Sequence, residues 1–156
     1  MERPDLSAVI PLFLDPAQTR YWEGGQGHDR ESAMEMLDRY FRLPSYHWMI
    51  FRDSDPAGYG HLLRSDFLEA WIVSYIVAPE HQGQGVATAF VEEARRFALC
   101  EGIETLYASV HFENAASIRV VEKSGFEPTD DSANPEQILY RWSTHARKAD
   151  GQKSQA

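Results

Sequence analysis

The sequence contains a single cysteine, Cys100, in 156 residues. One cysteine excludes an intrachain disulfide framework and a metal site built from several cysteines, and we predict no metal site. Positive charge is also scarce, because 15 Lys and Arg stand against 24 Asp and Glu and the formal net charge is −9. Nucleic-acid binding requires clustered Lys and Arg. We therefore expect no nucleic-acid partner.

Long apolar runs are absent as well. A membrane-spanning helix needs about 20 apolar residues, and no segment of the chain approaches that length. The N-terminal stretch MERPDLSAV does not have the form of a signal peptide. We therefore expect a cytoplasmic protein with no membrane partner.

The length favours one domain that buries a single sizeable core. We predict that residues 1–145 form this domain. The last stretch, ARKADGQKSQA, offers almost nothing to bury, and a disordered tail is predicted over 146–156.

The first third of the chain has a helical pattern. Asp5 or Ser7 is a candidate cap before an apolar run, and Pro16 interrupts that run. A flexible loop is predicted over 24–29. A helix is predicted over 29–43, because its apolar residues recur at three- and four-residue spacings.

Strands dominate the remainder. Segments 46–52 and 59–64 flank the turn-forming stretch DSDPAG and predict a hairpin. Segment 67–78 is almost wholly apolar, which is typical of a central strand covered on both faces. A helix that ends at Gly102 and a strand over 104–111 follow. Strand, helix and strand therefore predict one βαβ unit with parallel strands.

A glycine-rich corner, EHQGQGVATAF over 80–90, joins the central strand to the next helix. Backbone N–H groups at a helix N-terminus bind phosphate well. Gly83 and Gly85 let the backbone approach an anion without interference from side chains. No Lys or Arg lies between residues 71 and 94. An anion at this corner must therefore be held mainly by amides.

Several motifs compete for this corner. A P-loop is excluded, because no Gly-Lys-Ser or Gly-Lys-Thr follows. A dinucleotide fingerprint, which would make the chain an NAD-binding module, fits poorly because Thr88 occupies the third glycine position. The pattern Gln/Arg-x-x-Gly-x-Gly/Ala is met by Gln82, Gly85 and Ala87. A structural loop that merely needs positive φ is the non-functional alternative.

The context of the corner carries a family resemblance. Val77, Ala78 and Pro79 precede the corner at the end of the strand, and a second motif, Asn-x-x-Ser-x-x-x-x-x-Lys-x-Gly-Phe, follows the next strand. Over residues 46–142 the chain resembles the GNAT superfamily of acetyl-CoA-dependent N-acetyltransferases. The second motif looks most like the RimJ/RimL branch, whose namesakes acetylate N-termini of ribosomal proteins. Its residues here are Asn114, Ser117, Lys123, Gly125 and Phe126.

The resemblance implies an α+β fold with a mixed, largely antiparallel sheet, in which two parallel central strands splay apart between flanking helices. It also implies that acetyl-CoA is the co-substrate and that its pantetheine arm lies between the splayed strands like an added strand. The implied contacts are the backbone of Tyr75, Ile76 and Val77, the corner residues Gln82, Gly83, Gln84, Gly85, Val86, Ala87 and Thr88, and the side chains of Asn114 and Ser117.

The implied chemistry is direct attack of a neutral amine on the thioester, with a base for the amine and an acid for the departing thiolate. Many relatives carry a tyrosine as the acid, and its position here is Val121. Ser117 and Tyr140 are the candidate substitutes. For the base, the position of a glutamate in histone-modifying relatives is Trp71, and Glu69 would lie on the same face of an unbroken strand.

Two further interpretations stay open. His111, at the end of the second parallel strand, is an alternative base that would act through water. The missing tyrosine motivates a different class of function, a non-catalytic acyl-CoA-binding sensor on the same fold.

In this family the acceptor groove is built from the N-terminal helices and the loop between them, here residues 20–35. Trp22, Glu23 and Trp71 are candidate substrate-binding residues, because aromatic faces and negative charge suit an ammonium group. The acceptor would be a protein N-terminus, a polyamine, an aminoglycoside or another small amine. The acidic residues of this region are equally well explained as the solvent-exposed faces of amphipathic helices with no role in binding an acceptor.

The start of the chain departs from the family pattern. Family members begin with a strand, whereas this chain leaves at most residues 2–4 for one before its first helix. The strand over 46–52 would then be an exposed edge, which favours pairing with a second copy in a homodimer.

Overall fold

The computed structural model describes residues 6–22 and 27–145. Its centre is a six-stranded sheet with the strand order β1-β2-β3-β4-β6-β5. The α-helices are α1 (Ile10–Leu14), α2 (Pro16–Thr19), α3 (Arg30–Arg42), α4 (Val86–Cys100) and α5 (Ala115–Lys123), and a 3-10 turn spans Pro79–His81. The strands are β1 (Ser45–Arg52), β2 (Asp55–Ser65), β3 (Ala70–Val77), β4 (Thr105–His111), β5 (Glu127–Pro128) and β6 (Gln137–Ser143).

The helical N-terminal third is confirmed. The Asp15 carboxylate accepts a hydrogen bond from the Ala17 amide at 2.9 Å and caps α2. The Asp29 carboxylate does the same for the Ser32 amide at 2.8 Å and caps α3. The predicted cap at Asp5, the stub over 2–4 and the tail over 146–156 lie outside the described residues.

The β1–β2 hairpin has a shorter turn than predicted. Asp53 and Ser54 both have positive φ, 48° and 74°, as a two-residue hairpin turn requires. The predicted turn over 53–58 is therefore wrong in length. Pro56 lies within β2 beside the register shift between Ile50 and Phe51, and such an irregularity tolerates a residue without an N–H donor.

The two parallel strands diverge. β3 and β4 pair only at Trp71 with Leu106 and at Ile72 with Tyr107. β2 pairs with β3 as far as Val77, and β6 pairs with β4 along its whole length. Each parallel strand therefore follows its antiparallel neighbour, and a gap opens between them. We call the gap beyond Ile72 and Tyr107 the wedge. The divergence of the two strands confirms the predicted splayed strands and the α+β fold.

Alternation along the strands divides the core into two clusters on opposite faces of the sheet. The α4 face packs against α4 and α5, and the α1 face packs against α1 and α3. The buried residues of the α4 face include Leu62, Val73, Phe90, Val91, Leu106, Val121, Tyr140 and Trp142. Those of the α1 face include Val9, Phe13, Met36, Leu37, Tyr59 and Ile76.

β1 forms one edge of the sheet in the described part of the chain. No strand precedes α1 within residues 6–22, and the residues 2–4 on which the expected reduced start depends lie outside the described part of the chain. Pairing of this edge with a second copy stays a prediction. Among residues 6–22 and 27–145, no helix is both long and apolar enough to cross a membrane.

A glycine on β2 sets the height of α4 above the sheet. A methyl group at Gly60 would overlap the ring of Phe90. The Phe90 ring lies edge-on to Trp48 and Tyr75, at centroid distances of 6.0 Å and 6.3 Å. Gly60 therefore allows Phe90 of α4 to fill the space above β1, β2 and β3.

We predict that Gly60→Ala lowers the free energy of unfolding by about 1–3 kcal/mol, because an added methyl group overpacks a filled core. The loss should shrink in a Phe90→Leu background, where the smaller side chain leaves room. Chemical denaturation of the parent, the two single variants and the double variant measures both losses. Equal losses in the two backgrounds would contradict the Gly60–Phe90 contact.

Candidate functional site

The glycine corner lies at the N-terminus of α4, as the sequence predicted. Gly83 and Gly85 have φ values of 70° and 82°, in the left-handed region that favours glycine. A Cβ atom at either position would meet no other atom within 4 Å. The space around the corner is therefore open to a ligand.

The amide groups of residues 83–88 are available to that ligand. Within the described residues, no protein group accepts a hydrogen bond from any of them, as is usual for the first amides of a helix. The dipole of the 15-residue helix α4 adds positive potential at the same place. The corner therefore has the form of an anion site built from amides.

The two glutamines of the corner bind the protein itself. Nε2 of Gln82 donates to the Val77 carbonyl at 3.1 Å and to Oε1 of Gln18 at 2.9 Å. Nε2 of Gln84 donates to the Glu80 carbonyl at 2.8 Å. Both side chains therefore fix the shape of the corner.

The wedge begins next to the corner. Tyr75, Ile76 and Val77 lie beyond the last β3–β4 pair, so their inner strand edge faces the gap. In an antiparallel pair such as β2–β3, every second residue directs its N–H and C=O away from the partner strand. Alternate residues of this stretch therefore direct backbone groups toward the gap, and the Val77 carbonyl already accepts from Nε2 of Gln82. Binding of an extended ligand to these groups stays a prediction.

Asn114 caps the helix on the other side of the wedge. Its Oδ1 accepts a hydrogen bond from the Ser117 amide at 3.2 Å, and its own amide donates to the His111 carbonyl. The structure therefore supports the capping role for Asn114. It places Ser117 in the first turn of α5, next to the end of β4.

The side chain of Tyr75 is a feature that the sequence did not single out. Its hydroxyl is buried and has no hydrogen-bond partner in the described residues. Burial raises the pKa of Tyr75, and the nearby Ser117 side chain partly offsets that rise. We therefore infer that the Ser117 side chain lies close to the hydroxyl without completing a hydrogen bond to it.

The other candidate acids have different surroundings. The Tyr140 hydroxyl donates to Oε1 of Glu122 at 3.2 Å, and burial together with Glu122 raises the pKa of Tyr140. Val121, where many relatives carry the acid, is fully buried in the core of the α4 face. The structure therefore shows Tyr140 joined to the outer side of α5 and no proton donor at Val121.

The predicted position of Glu69 is wrong. β3 begins at Ala70, and Glu69 lies in the preceding turn with a φ of 50°. The turn forms because the Ser65 hydroxyl accepts a hydrogen bond from the Leu68 amide at 3.3 Å, a local bond that competes with strand pairing. Glu69 is also roughly 20 Å along the strand from Tyr75. It lies at the closed end of the wedge and not on the face of a continuous strand.

His111 occupies the predicted end of β4. Its Nδ1 accepts a hydrogen bond from the Glu113 amide at 3.2 Å. A neutral ring whose Nδ1 accepts this hydrogen bond carries its proton on Nε2. Only Nδ1 can take up a further proton, in exchange for the Glu113 amide, and the role of His111 as a base stays a prediction.

The segment 18–22 connects the two sides of the open end of the wedge. Gln18 bonds to Gln82 beyond the end of β3. The Tyr21 ring packs against His111 at the end of β4, with 5.0 Å between ring centroids. The N-terminal helices therefore border the wedge, in agreement with the predicted acceptor side.

The structure does not bring the three candidate acceptor residues together. Trp22 lies on the α1 face, edge-on to Phe13 at 5.0 Å between ring centroids. Trp71 lies on the α4 face, 5.3 Å from the Tyr46 ring. Glu23 lies outside the described residues. Trp22 and Trp71 therefore lie on opposite faces of the sheet, and the binding of a substrate by either residue stays a prediction.

Two histidines on the α1 face also escaped sequence analysis. The Tyr59 hydroxyl bonds to Nδ1 of His47, whose Nε2 lies 2.7 Å from the Ser45 hydroxyl. His61 is 2% exposed, and its Nδ1 has no partner among the described residues. Burial lowers the pKa of His47 to about 4 and that of His61 to about 3. Across residues 6–22 and 27–145, no group of three or more His, Cys, Asp or Glu residues is arranged to hold a metal.

A family comparison agrees with this geometry. The profile described as "Acetyltransferase (GNAT) domain" matches residues 1–127. The chain belongs to the GNAT acetyltransferase family. It is accordingly an acyltransferase. The match does not distinguish the RimJ/RimL branch, and a search of the curated proteins finds no significant match.

Solved GNAT structures share the fold at low sequence identity. Aminoglycoside acetyltransferase AAC(6')-Ib, solved with coenzyme A, has a TM-score of 0.78 at 14% identity and covers 92% of both chains. Spermidine N-acetyltransferase from Vibrio cholerae, solved with coenzyme A and spermine, has a TM-score of 0.71 at 19% identity, covering 90% of this chain and 89% of that one. An acetyltransferase from Agrobacterium tumefaciens str. C58 has a TM-score of 0.74 at 18% identity, covering 91% and 86%.

We predict that the buried His61 makes this GNAT domain acid-sensitive. Its folded pKa of about 3 lies below the ordinary 6.5, so its contribution to stability is present above pH 6.5 and is lost as pH falls toward 3. Between pH 6.5 and pH 5 this linkage should remove about 1.5 kcal/mol from the free energy of unfolding.

Denaturant titrations at several pH values measure this loss. In His61→Leu the decline over the same pH range should be smaller by about the same amount, whereas His145→Gln, which changes an exposed histidine, should decline like the parent. A His61→Leu decline as steep as that of the parent would contradict the prediction.

Proposed function

We propose that this GNAT domain is an N-acetyltransferase that transfers the acetyl group of acetyl-CoA to the primary amine of a small cationic acceptor. The observation that carries the proposal is the open glycine corner at residues 83–88, whose free amides stand directly beside the wedge between β3 and β4.

The corner and the wedge fit the two parts of acetyl-CoA. The pyrophosphate needs donors without bulk, and the amides of residues 83–88 provide them at a helix N-terminus. The pantetheine arm is extended and carries amide groups, and the inner edge of β3 from Tyr75 to Val77, which is not paired with β4, suits such an arm. Acetyl-CoA supplies the activated acetyl group, and the protein holds that group in position.

The amine would attack the thioester directly. This requires a neutral amine held against the carbonyl carbon, and holding two reactants in line contributes a large part of the rate in such reactions. Ser117 lies on the α5 side of the wedge, as expected of a residue near the thioester. His111, with Nδ1 exchanging the Glu113 amide for a bound water, would accept the proton that the amine loses. Glu69 lies in the turn before β3, away from Tyr75.

The acceptor would enter from the side of the N-terminal helices. Segment 18–22 borders the open end of the wedge there, and Trp22 offers an aromatic surface on that face. Glu31 and Glu35 are exposed on α3, and the chain carries a net charge of −9. Long-range attraction therefore favours a cation.

Two structural neighbours support a small polyamine-like acceptor over a peptide. AAC(6')-Ib is an aminoglycoside acetyltransferase, and the Vibrio cholerae enzyme acts on spermidine. Because both are under 20% identical to this chain, they suggest the class of acceptor and not its identity. Peptide N-termini, the acceptors of the RimJ/RimL namesakes, form the alternative within the same reaction.

The test is a thiol-release assay with acetyl-CoA and a panel of polyamines, aminoglycosides and peptide N-termini. We expect release above the background with at least one polycationic small amine and little with neutral peptides. Release only with peptides would overturn the acceptor class. Binding of acetyl-CoA without release from any amine would favour the non-catalytic acyl-CoA sensor.

The donor site itself gives a separate prediction. Gly85→Asp should weaken acetyl-CoA binding at least about tenfold, because a carboxylate would stand next to the pyrophosphate. Two like charges about 4 Å apart repel by about 4 kcal/mol at an effective dielectric constant of 20, and about 1.4 kcal/mol corresponds to a tenfold change in Kd. Isothermal titration calorimetry measures the change.

Gly102→Asp is the matched control for Gly85→Asp. Gly102 also has a positive φ, 74°, and open space around its Cβ position, but it follows the C-terminus of α4. The backbone strain of the substitution is therefore similar, while the anion site is untouched. Equal acetyl-CoA affinity in the two variants would remove the pyrophosphate from residues 83–88.

A further inference from the structure

Tyr75 and Ser117 approach each other from opposite sides of the wedge. Tyr75 lies three residues beyond Ile72, the last β3 residue paired with β4. Ser117 lies in the first turn of α5, which follows β4. The Tyr75 side chain is on the α4 face, where its ring contacts Phe90, and Ser117 is close enough to influence its hydroxyl. A ligand arm that runs from the corner into the wedge would lie beside these two residues.

The Tyr75 hydroxyl differs from other tyrosine hydroxyls of this sheet. Those of Tyr46, Tyr59 and Tyr140 each bond to a side chain, namely Glu101, His47 and Glu122. The Tyr75 hydroxyl is buried and has no partner in the described residues. Because a buried polar group without a partner is costly, a phenylalanine would suit this position better unless a ligand completes the hydrogen bond.

We propose that the Tyr75 hydroxyl, with Ser117 beside it, donates the proton that the sulfur of coenzyme A takes up when the thioester is cleaved. The proposal rests on the proposed acetyl transfer and names a catalytic residue for it. Tyr75 takes the role that Val121 cannot fill and for which the Tyr140 hydroxyl, bonded to Glu122, is poorly placed.

The proton and electron balance is complete without another reactant. The amine nitrogen forms a bond to the acetyl carbon, the carbon–sulfur bond breaks, and its electron pair stays on sulfur. The O–H proton of Tyr75 moves to that sulfur and yields the free thiol. The phenolate regains a proton from water, and the amine nitrogen loses one to water. The net products are the amide and coenzyme A.

Burial in the wedge affects both partners of this proton transfer. For Tyr75 the effect supports the role of proton donor. It keeps the phenol protonated throughout the neutral range, because burial raises the pKa of Tyr75. The departing thiolate is buried in the same wedge, where desolvation also raises the pKa of a thiol. Burial therefore raises the pKa of the proton donor, the Tyr75 phenol, and that of the thiol formed from the proton acceptor, the coenzyme A thiolate, in the same direction.

The first test is kinetic and compares Tyr75→Phe with the parent. The acetyl-CoA Kd should stay within about twofold, while kcat should fall on the order of 10²-fold, the usual size of general acid catalysis. The solvent deuterium isotope effect on kcat should change, because the proton transfer to sulfur is lost. Tyr46→Phe is the matched control and should behave like the parent, since Tyr46 lies on the far strand β1 and its hydroxyl bonds to Glu101, which directly follows α4.

The second test needs no acceptor amine. Coenzyme A and its desulfo analogue are titrated by calorimetry between about pH 7 and pH 9.5, a range in which the thiol ionises. A hydroxyl donating to the sulfur favours the thiolate, so the affinity ratio of coenzyme A to desulfo-coenzyme A should rise about tenfold more with pH in the parent than in Tyr75→Phe.

The two tests separate the possible failures. Identical affinity ratios in the parent and Tyr75→Phe, or a kcat within about threefold of the parent, would overturn the role of Tyr75 and leave acetyl transfer standing. A ratio that depends on Tyr75, in a protein that releases no thiol with any amine, would support the Tyr75–sulfur contact and reject the transferase function. Failure of the parent to bind coenzyme A would overturn both.

Discussion

The arrangement depends on the loss of pairing between β3 and β4. Two parallel strands that pair at only two positions leave hydrogen-bonding groups of both inner edges without a strand partner. Such groups are costly inside a protein unless water or a ligand satisfies them. β2 and β6 keep the two strands apart by pairing with their outer edges. The wedge is therefore a strand-shaped position built into the sheet, and an extended ligand is its natural occupant.

Packing on the α4 face determines where the anion site lies relative to the wedge. Gly60 allows Phe90 to settle on the sheet, and Phe90 is in the second turn of α4. The N-terminus of α4 is thereby fixed close to the end of β3. Gly83 and Gly85 then turn the chain with positive φ, so that the amides of the corner stay free. A change in the core above β2 would therefore shift the glycine corner relative to the wedge.

The two faces of the sheet have different chemical characters. The α4 face holds the apolar core and, at the wedge, the Tyr75 and Ser117 hydroxyls. The α1 face holds His47 and His61, which burial keeps neutral, and it is bordered by the N-terminal helices.

The sequence by itself determined the local features of this protein. The glycine corner and most of the individual helices and strands depend on residues within a few positions of one another, where backbone preference and side-chain type decide the conformation. The tertiary structure decided everything that depends on distant partners. Gln18 meets Gln82 across 64 residues, the sheet separates Trp22 from Trp71, and the Ser65 turn removes Glu69 from β3. The proximity of Tyr75 to Ser117 was likewise decided by the tertiary structure, because no local sequence pattern specifies which side chains lie near each other across a gap between two strands.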